Sequence, residues 1–161
     1  VLSHLGLRLA TQRLAAWSRW LTPLSPALGT RRFDTRFFVA PAPLDQTAAH
    51  DNEEATESVG LAPRAAVEQD RAGQIERAPP QIRSLAHRAR YARMQDVVVA
   101  ARSQRPPTIL PLAHLDAGLR TIAYPGDPLH AEHKRALPGP TRLRQQGRQF
   151  LPEGGFEALF L

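Results

Sequence analysis

The segment Arg31 to Ala40 restricts what this chain can fold into more than any other. Phe33, Thr35, Phe37 and Val39 alternate with Arg32, Asp34, Arg36 and Phe38. A period of two places the first set on one face of a strand and the second on the other. Pro41 and Pro43 end the pattern, because proline cannot donate to a sheet ladder. A lone strand is not stable in water, so this one must meet partner strands.

Its flanks read as helix and loop. Leu2, Leu5 and Leu9 recur at helical spacing, as do Leu14, Trp17 and Leu21. Residues 2–21 are therefore expected to form one amphipathic helix, or two with a break near Ala10–Gln12. Trp17 and Trp20 would anchor it in the core, and Thr22-Pro23 would stop it. Residues 44–54 read as loop and Ala55 to Leu61 as a short, weak strand. Pro63 suits a first helical position, with a helix over Arg64 to Arg71 and Gly73 as its stop. After Pro79-Pro80 the longest helix is expected over Gln81 to Arg102. Ile82, Leu85 and Ala89 form its stripe, joined later by Val97, Val98 and Ala101, and Pro106-Pro107 closes it. Beyond Asp116 the chain reads as irregular, with strand-like pieces at Leu119–Tyr124 and Thr141–Arg144 and a turn over Tyr124 to Pro128.

Composition narrows the function classes. There is no cysteine, which removes disulfides and thiolate metal sites and fits a reducing compartment such as the cytoplasm. The net charge is +6 and comes almost entirely from arginine, since Lys134 is the only lysine. Such a charge suits a nucleic-acid binder or a coding bias toward Arg, Ala and Pro. Acidic residues are interspersed and no block of like charge occurs, which argues against a nucleic-acid partner. No apolar run is long enough for a membrane span, and Val1 to Ala10 lacks the basic start of a signal peptide. The opening residue, Val1, is expected of a start partway through a longer protein or of an unusual start codon.

From Trp17 onward the order of features resembles one subgroup of the Nudix hydrolases. The resemblance rests on Trp17-Ser18-Arg19-Trp20-Leu21-Thr22-Pro23 followed by Arg31-Arg32-Phe33-Asp34-Thr35-Arg36-Phe37-Phe38-Val39-Ala40. It continues through Glu54, Pro63-Arg64-Ala65-Ala66, Ala72-Gly73-Gln74-Ile75-Glu76 and Pro79-Pro80. It ends with Gly126-Asp127-Pro128-Leu129 and Gly139-Pro140-Thr141-Arg142. Gly60 stands where the subgroup often has Trp, and Gln81 where it usually has Thr. The resemblance implies an α/β fold, a partial Nudix-type sandwich with a mixed sheet between helices. Residues 1–118 would be the later part of that domain and 119–161 an irregular extension. The other strands of the sheet would precede Val1, leaving Arg31–Ala40 with an exposed face and a marginally stable chain.

The implied reaction is hydrolysis of a nucleoside-diphosphate-linked small molecule, coenzyme A or similar, with Mg2+ or Mn2+ held by glutamates of a Nudix box. That box is missing. Its nearest match, Glu53 to Leu61, places Glu54, Glu57 and Gly60 in register, but Glu53 stands for its arginine and Ser58 for a glutamate. The segment already has a place downstream of the box, which would precede Val1. The chain alone is therefore expected to be inactive.

Glu54 is the candidate catalytic residue, as the additional carboxylate some Nudix enzymes place outside the box; the other reading is a surface acid. Arg31, Arg32 and Arg36 are candidates for substrate phosphate, because guanidinium forks suit phosphate oxygens. The other reading is a solvated strand face or a pair with Asp34. His130 and His133 beside Glu132 have loose metal-ligand spacing but lack a third ligand, so no metal site is assigned. Ser84 and Ser103 lack a nucleophile-elbow context. Two further functions stay open: a non-catalytic phosphate-binding remnant and a basic nucleic-acid-binding protein.

Overall fold

A computed structural model describes residues 4, 6, 8–23, 31–45, 50, 52 and 58–161. Glu54, Leu2, Leu5 and the first part of the Ala55–Leu61 segment lie outside them, while 58–61 form neither strand nor helix. The described residues carry mixed α/β content: strands β1 (Ala15–Leu21) and β2 (Asp34–Val39), helices α1 (Pro63–Arg71), α2 (Pro79–Arg88) and α3 (Met94–Ser103), and strands β3 (Thr108–Ile109), β4 (Leu112–Asp116), β5 (Leu119–Ala123), β6 (Arg142–Gln146) and β7 (Gln149–Leu151).

β1 replaces the expected N-terminal helix. Just ahead of it Thr11–Arg13 form a 3-10 turn, residues 8–10 are not helical, and Leu9 and Leu14 are exposed. The helical spacing of the tryptophans has another origin. β1 runs antiparallel to β2, with Ala16 opposite Phe38 and Ser18 opposite Phe37, so Trp17 is the extra residue of a bulge. A bulge shifts the side-chain phase of a strand. Ala15, Trp17, Ser18 and Trp20 are all buried, and an i, i+3 pair of tryptophans results without a helix.

β1 also supplies what β2 was expected to lack. It forms the centre of a three-stranded mixed sheet in the order β2-β1-β3, with β3 parallel to it. β2 lies at the edge of that sheet, with β1 as its one partner strand among the described residues. The alternation in β2 holds toward its end, where Val39 is buried and Phe37 half-buried while Phe38 is exposed. Phe33 departs from it, remaining 63% exposed.

The helix expected over Gln81–Arg102 is two. On a continuous helix the stripe of Val97, Val98 and Ala101 would sit about 130° round from that of Ile82, Leu85 and Ala89. The break between Arg88 and Met94 lets both be buried: Ile82 and Ala86 in one cluster, Val97, Val98 and Ala101 in another. α1 forms as expected from Pro63. Gln81, which departs from the family pattern, accepts the Ala78 N–H at 3.0 Å and closes the start of α2.

Residues 119–161 are not irregular. They supply β5, β6 and β7 of a four-stranded antiparallel meander that begins with β4, and a 3-10 turn at Phe156–Phe160. Ile122, Tyr124, Leu143, Phe156 and Leu159 pack into the same cluster as Trp20, Val67, Ile82 and Ile109. A core shared in this way ties the meander to the helices and the mixed sheet. The β4–β5 hairpin turns on Ala117 (φ 49°) and Gly118 (φ 78°). Positive φ at both central residues is what a type I′ turn demands, and Ala is poorly suited to the first. Ala117→Asn is expected to stabilise the protein by about 0.5–1 kcal/mol, read as a rise in the urea midpoint. An unchanged or lower midpoint would refute the assignment of the turn.

A donor-lined cavity as candidate functional site

Arg77, Gln81, Ser84 and Arg88 fall at i, i+4, i+7 and i+11 along and just ahead of α2. That spacing draws them onto one stripe, beside the apolar stripe of Ile82 and Ala86. The polar stripe is only partly open to solvent, with Gln81 exposed, Arg77 and Arg88 half-buried and Ser84 buried. With Trp17 of β1 and Phe37, Phe38 and Val39 of β2, it lines a cavity of about 290 Å³ closed further by Leu61 and Leu85.

Four polar atoms on residues that line the cavity are buried without a hydrogen-bond partner among the described residues, Trp17 Nε1, Arg77 Nε, Ser84 Oγ and Arg88 Nε, and having almost no accessible surface they lie behind the wall and do not face the opening. Trp17 and Ser84 are each only 4% exposed. An unsatisfied buried polar group costs on the order of 1–3 kcal/mol, so four behind one wall are an unusual expense. Among the described residues no carboxylate lines the cavity. Burial, with no acid to offset it, draws the Arg88 guanidinium below its ordinary range. The guanidiniums of Arg77, which has Asp70 near it, and Arg88 give the wall positive charge, a chemistry suited to the oxygens of an anion.

The residues expected from sequence lie elsewhere. Arg31, Arg32 and Arg36 are exposed, and none lines the cavity. Arg32 donates to the Thr22 carbonyl at 3.1 Å. Asp34 is taken by Arg19 of β1 in a two-pronged ion pair at 2.7 and 2.6 Å, and Arg36 faces Arg19 across the strands. Both ring nitrogens of His130 are occupied, Nε2 with the Leu110 carbonyl at 2.9 Å and Nδ1 with the Glu132 N–H at 3.0 Å. Among the described residues no three His, Asp or Glu side chains come together as a metal site would require. The sequence reading missed Arg77, Gln81 and Arg88, whose signal was the polar stripe at helical spacing on an otherwise buried helix.

The two C-terminal motifs of the resemblance meet, and their meeting is structural. Arg142 forks onto the buried Asp127 at 2.8 Å in both prongs. Thr141 Oγ1 donates to the same carboxylate at 3.0 Å, and so does the Leu129 N–H at 3.0 Å. A Cβ at Gly126, where φ is 93°, would collide with the Arg135 side chain, so the turn requires glycine there. Arg144, paired with Asp116 and with Glu153 at 2.6 Å, extends the network across the meander.

No protein-family model matches this chain, and no solved structure matches it. Over 85 residues, 52% of its length, the chain is 33% identical to the acyl-coenzyme A diphosphatase NUDT19 of Xenopus laevis. It spans about a fifth of that curated relative, the matched stretch covering 22% of it. The chain is thus similar, over about half its length, to part of a Nudix-type acyl-coenzyme A diphosphatase.

Proposed function

We propose that this chain is a substrate-recognition portion of a Nudix-like diphosphate hydrolase that acts on a coenzyme A-type or other nucleoside-diphosphate-linked molecule. On its own it binds the phosphorylated substrate and does not cleave it. The observation that carries this reading is the pair of guanidiniums, Arg77 and Arg88, that line one cavity with Gln81 and Ser84, where no carboxylate lies among the described residues. The distant similarity to an acyl-coenzyme A diphosphatase supplies the class of anion. The cavity takes over the phosphate recognition that the sequence suggested for Arg31, Arg32 and Arg36. Mg2+ or Mn2+, which Nudix chemistry uses, does not fit the described residues, because they offer no carboxylate cluster. No step through a metal is therefore assigned to them.

Calorimetric titration of the chain with coenzyme A in EDTA tests the reading. Saturable binding is expected, and Arg88→Ala should weaken it by about 10- to 100-fold, the loss of a charge-assisted hydrogen bond worth roughly 1.5–3 kcal/mol. With Mg2+ present, no product above a protein-free control is expected. Absence of binding, or cleavage by the chain that EDTA abolishes, would overturn the proposal.

A further inference from the structure

The two sides of β2 are used unequally. The N–H of Thr22, just after β1, donates to the Phe33 carbonyl at 3.0 Å, and at alternate residues onward, Thr35 and Phe37, the main-chain groups turn toward β1 in the same way. Asp34 and Arg36 therefore turn theirs outward, where no main-chain group of a described residue takes them. An edge of this kind is a template for a further strand.

The side chains on this edge complement themselves. Asp34 and Arg36 are exposed and share a face. Arg19 forks onto Asp34, while Arg36 stands directly opposite Arg19. Like charges so placed disfavour a sheet, and a carboxylate on the open side would relieve them. On the other face Phe33, Thr35 and Phe37 line an apolar cavity of about 330 Å³ with Trp20, Pro79 and Pro111, and Phe33 is largely exposed. A second copy of β2, antiparallel to the first and centred on Thr35, meets both needs. Asp34 then lies opposite the second copy's Arg36, and Phe33 opposite its Phe37. A slide of two residues one way sets Asp34 against Asp34, and the other way Arg36 against Arg36. A slide of one sets outward main-chain groups against inward ones and makes no ladder.

We propose that the outer edge of β2 is a self-recognition surface, through which two copies of this chain pair antiparallel about Thr35 and join their mixed sheets into one. The pairing does not depend on what either cavity binds. The contact is one strand edge with a cluster of phenylalanines from both copies, so a reversible dimer is expected and not a permanent one.

Sedimentation equilibrium of the full chain at micromolar concentrations should show monomer and dimer in exchange. Asp34→Arg makes arginine face arginine across the edge, and Arg36→Asp makes aspartate face aspartate. Each should weaken the dimer by about tenfold or more. Mixed in equal amounts, the two variants should associate with each other, because each meets the opposite charges of the other. A variant that merely misfolded would not be rescued in this way. The chain has no cysteine, so a single introduced one reports the register. Thr35 would face its own copy at about 4.5 Å between Cα atoms, within reach of a disulfide, and Thr35→Cys should give a linked dimer on mild oxidation. Arg36→Cys would lie roughly 9 Å from its copy and should stay unlinked. Self-pairing is rejected if the chain stays monomeric, as it would were the edge kept for a strand of other sequence. It is also rejected if the mixed variants ignore each other, or if both cysteine variants link equally.

Discussion

Asp127→Ala is expected to destabilise the protein by about 3–5 kcal/mol, because it removes the buried acceptor shared by Arg142, Thr141 and the Leu129 N–H and leaves Arg142 only the more distant Glu153, at 3.8 Å. Asp127 is 1% exposed and accepts from Arg142, Thr141 and the Leu129 N–H. Burial by itself would raise the Asp127 carboxyl. The Arg142 fork, with the Leu129 and Thr141 bonds, outweighs it and holds the group below its ordinary value of 3.8. A carboxyl so depressed stabilises the fold at any pH above its unfolded value, and that stability is lost as pH falls through the folded one. His87 adds an earlier acid limb. Buried against Trp17 at 4.5 Å between ring centroids, and near Arg90 and Arg83, it is drawn from 6.5 down to about 4. Keeping it neutral stabilises the fold above pH 6.5, and protonating it erodes that stability as pH falls toward about 4. Urea melts at stepped pH should show stability falling first between about 6.5 and 4, with a further loss below 3.8 that Asp127→Ala removes. An Asp127→Ala protein within about 1 kcal/mol of the original would mean the buried pair is not as placed.

Much of this architecture can be read from the residues, and the failures have physical causes. β2 was legible because one of its faces is buried, so Phe37 and Val39 alternate with solvated neighbours. Phe33 escaped the pattern by sitting just ahead of the strand, at the rim of the apolar cavity. The break between α2 and α3 was written in the rotation between their two apolar stripes. β1 was hidden by its bulge, which gave a strand the spacing of a helix. The meander was hidden by brevity: strands of five residues or fewer, separated by the long Tyr124–Thr141 connection, carry little periodic signal. The donor-lined cavity was half legible. Arg77, Gln81, Ser84 and Arg88 share a stripe in the sequence, yet only the packing of β1 and β2 over that stripe turns a surface into a cavity. Arginine-rich strands invite a phosphate reading because they are conspicuous; here Arg31, Arg32 and Arg36 are exposed, and the arginines that line the cavity lie just ahead of α2 and at its end.

Trp20 decides between strand and helix for the N-terminal segment. In β1 it is 3% exposed, its Nε1–H donates to Ser18 Oγ at 3.1 Å, and its ring meets Tyr124 edge-on at 5.9 Å between centroids. It packs in the cluster that joins the mixed sheet, the helices and the meander. Trp20→Ala is therefore expected to cost about 3–5 kcal/mol, the range for a buried large aromatic, since rigid neighbours such as Pro79 and Pro111 can collapse little into the space. That corresponds to a fall in melting temperature of roughly 2–4 °C per kcal/mol in a chain of this length. Ser18→Ala should cost on the order of 1 kcal/mol, because the indole N–H then stays buried without an acceptor. Leu14→Ala should stay within about 0.5 kcal/mol of the original, since Leu14 is 47% exposed. A helix over the same residues reverses the last two expectations. It would bury Leu14 on a stripe with Trp17 and Leu21, making Leu14→Ala costly, and would place Ser18 off that stripe, where alanine is the better helix former. Thermal melts of the three variants separate the cases by sign as well as size: a stabilising Ser18→Ala together with a destabilising Leu14→Ala would refute β1.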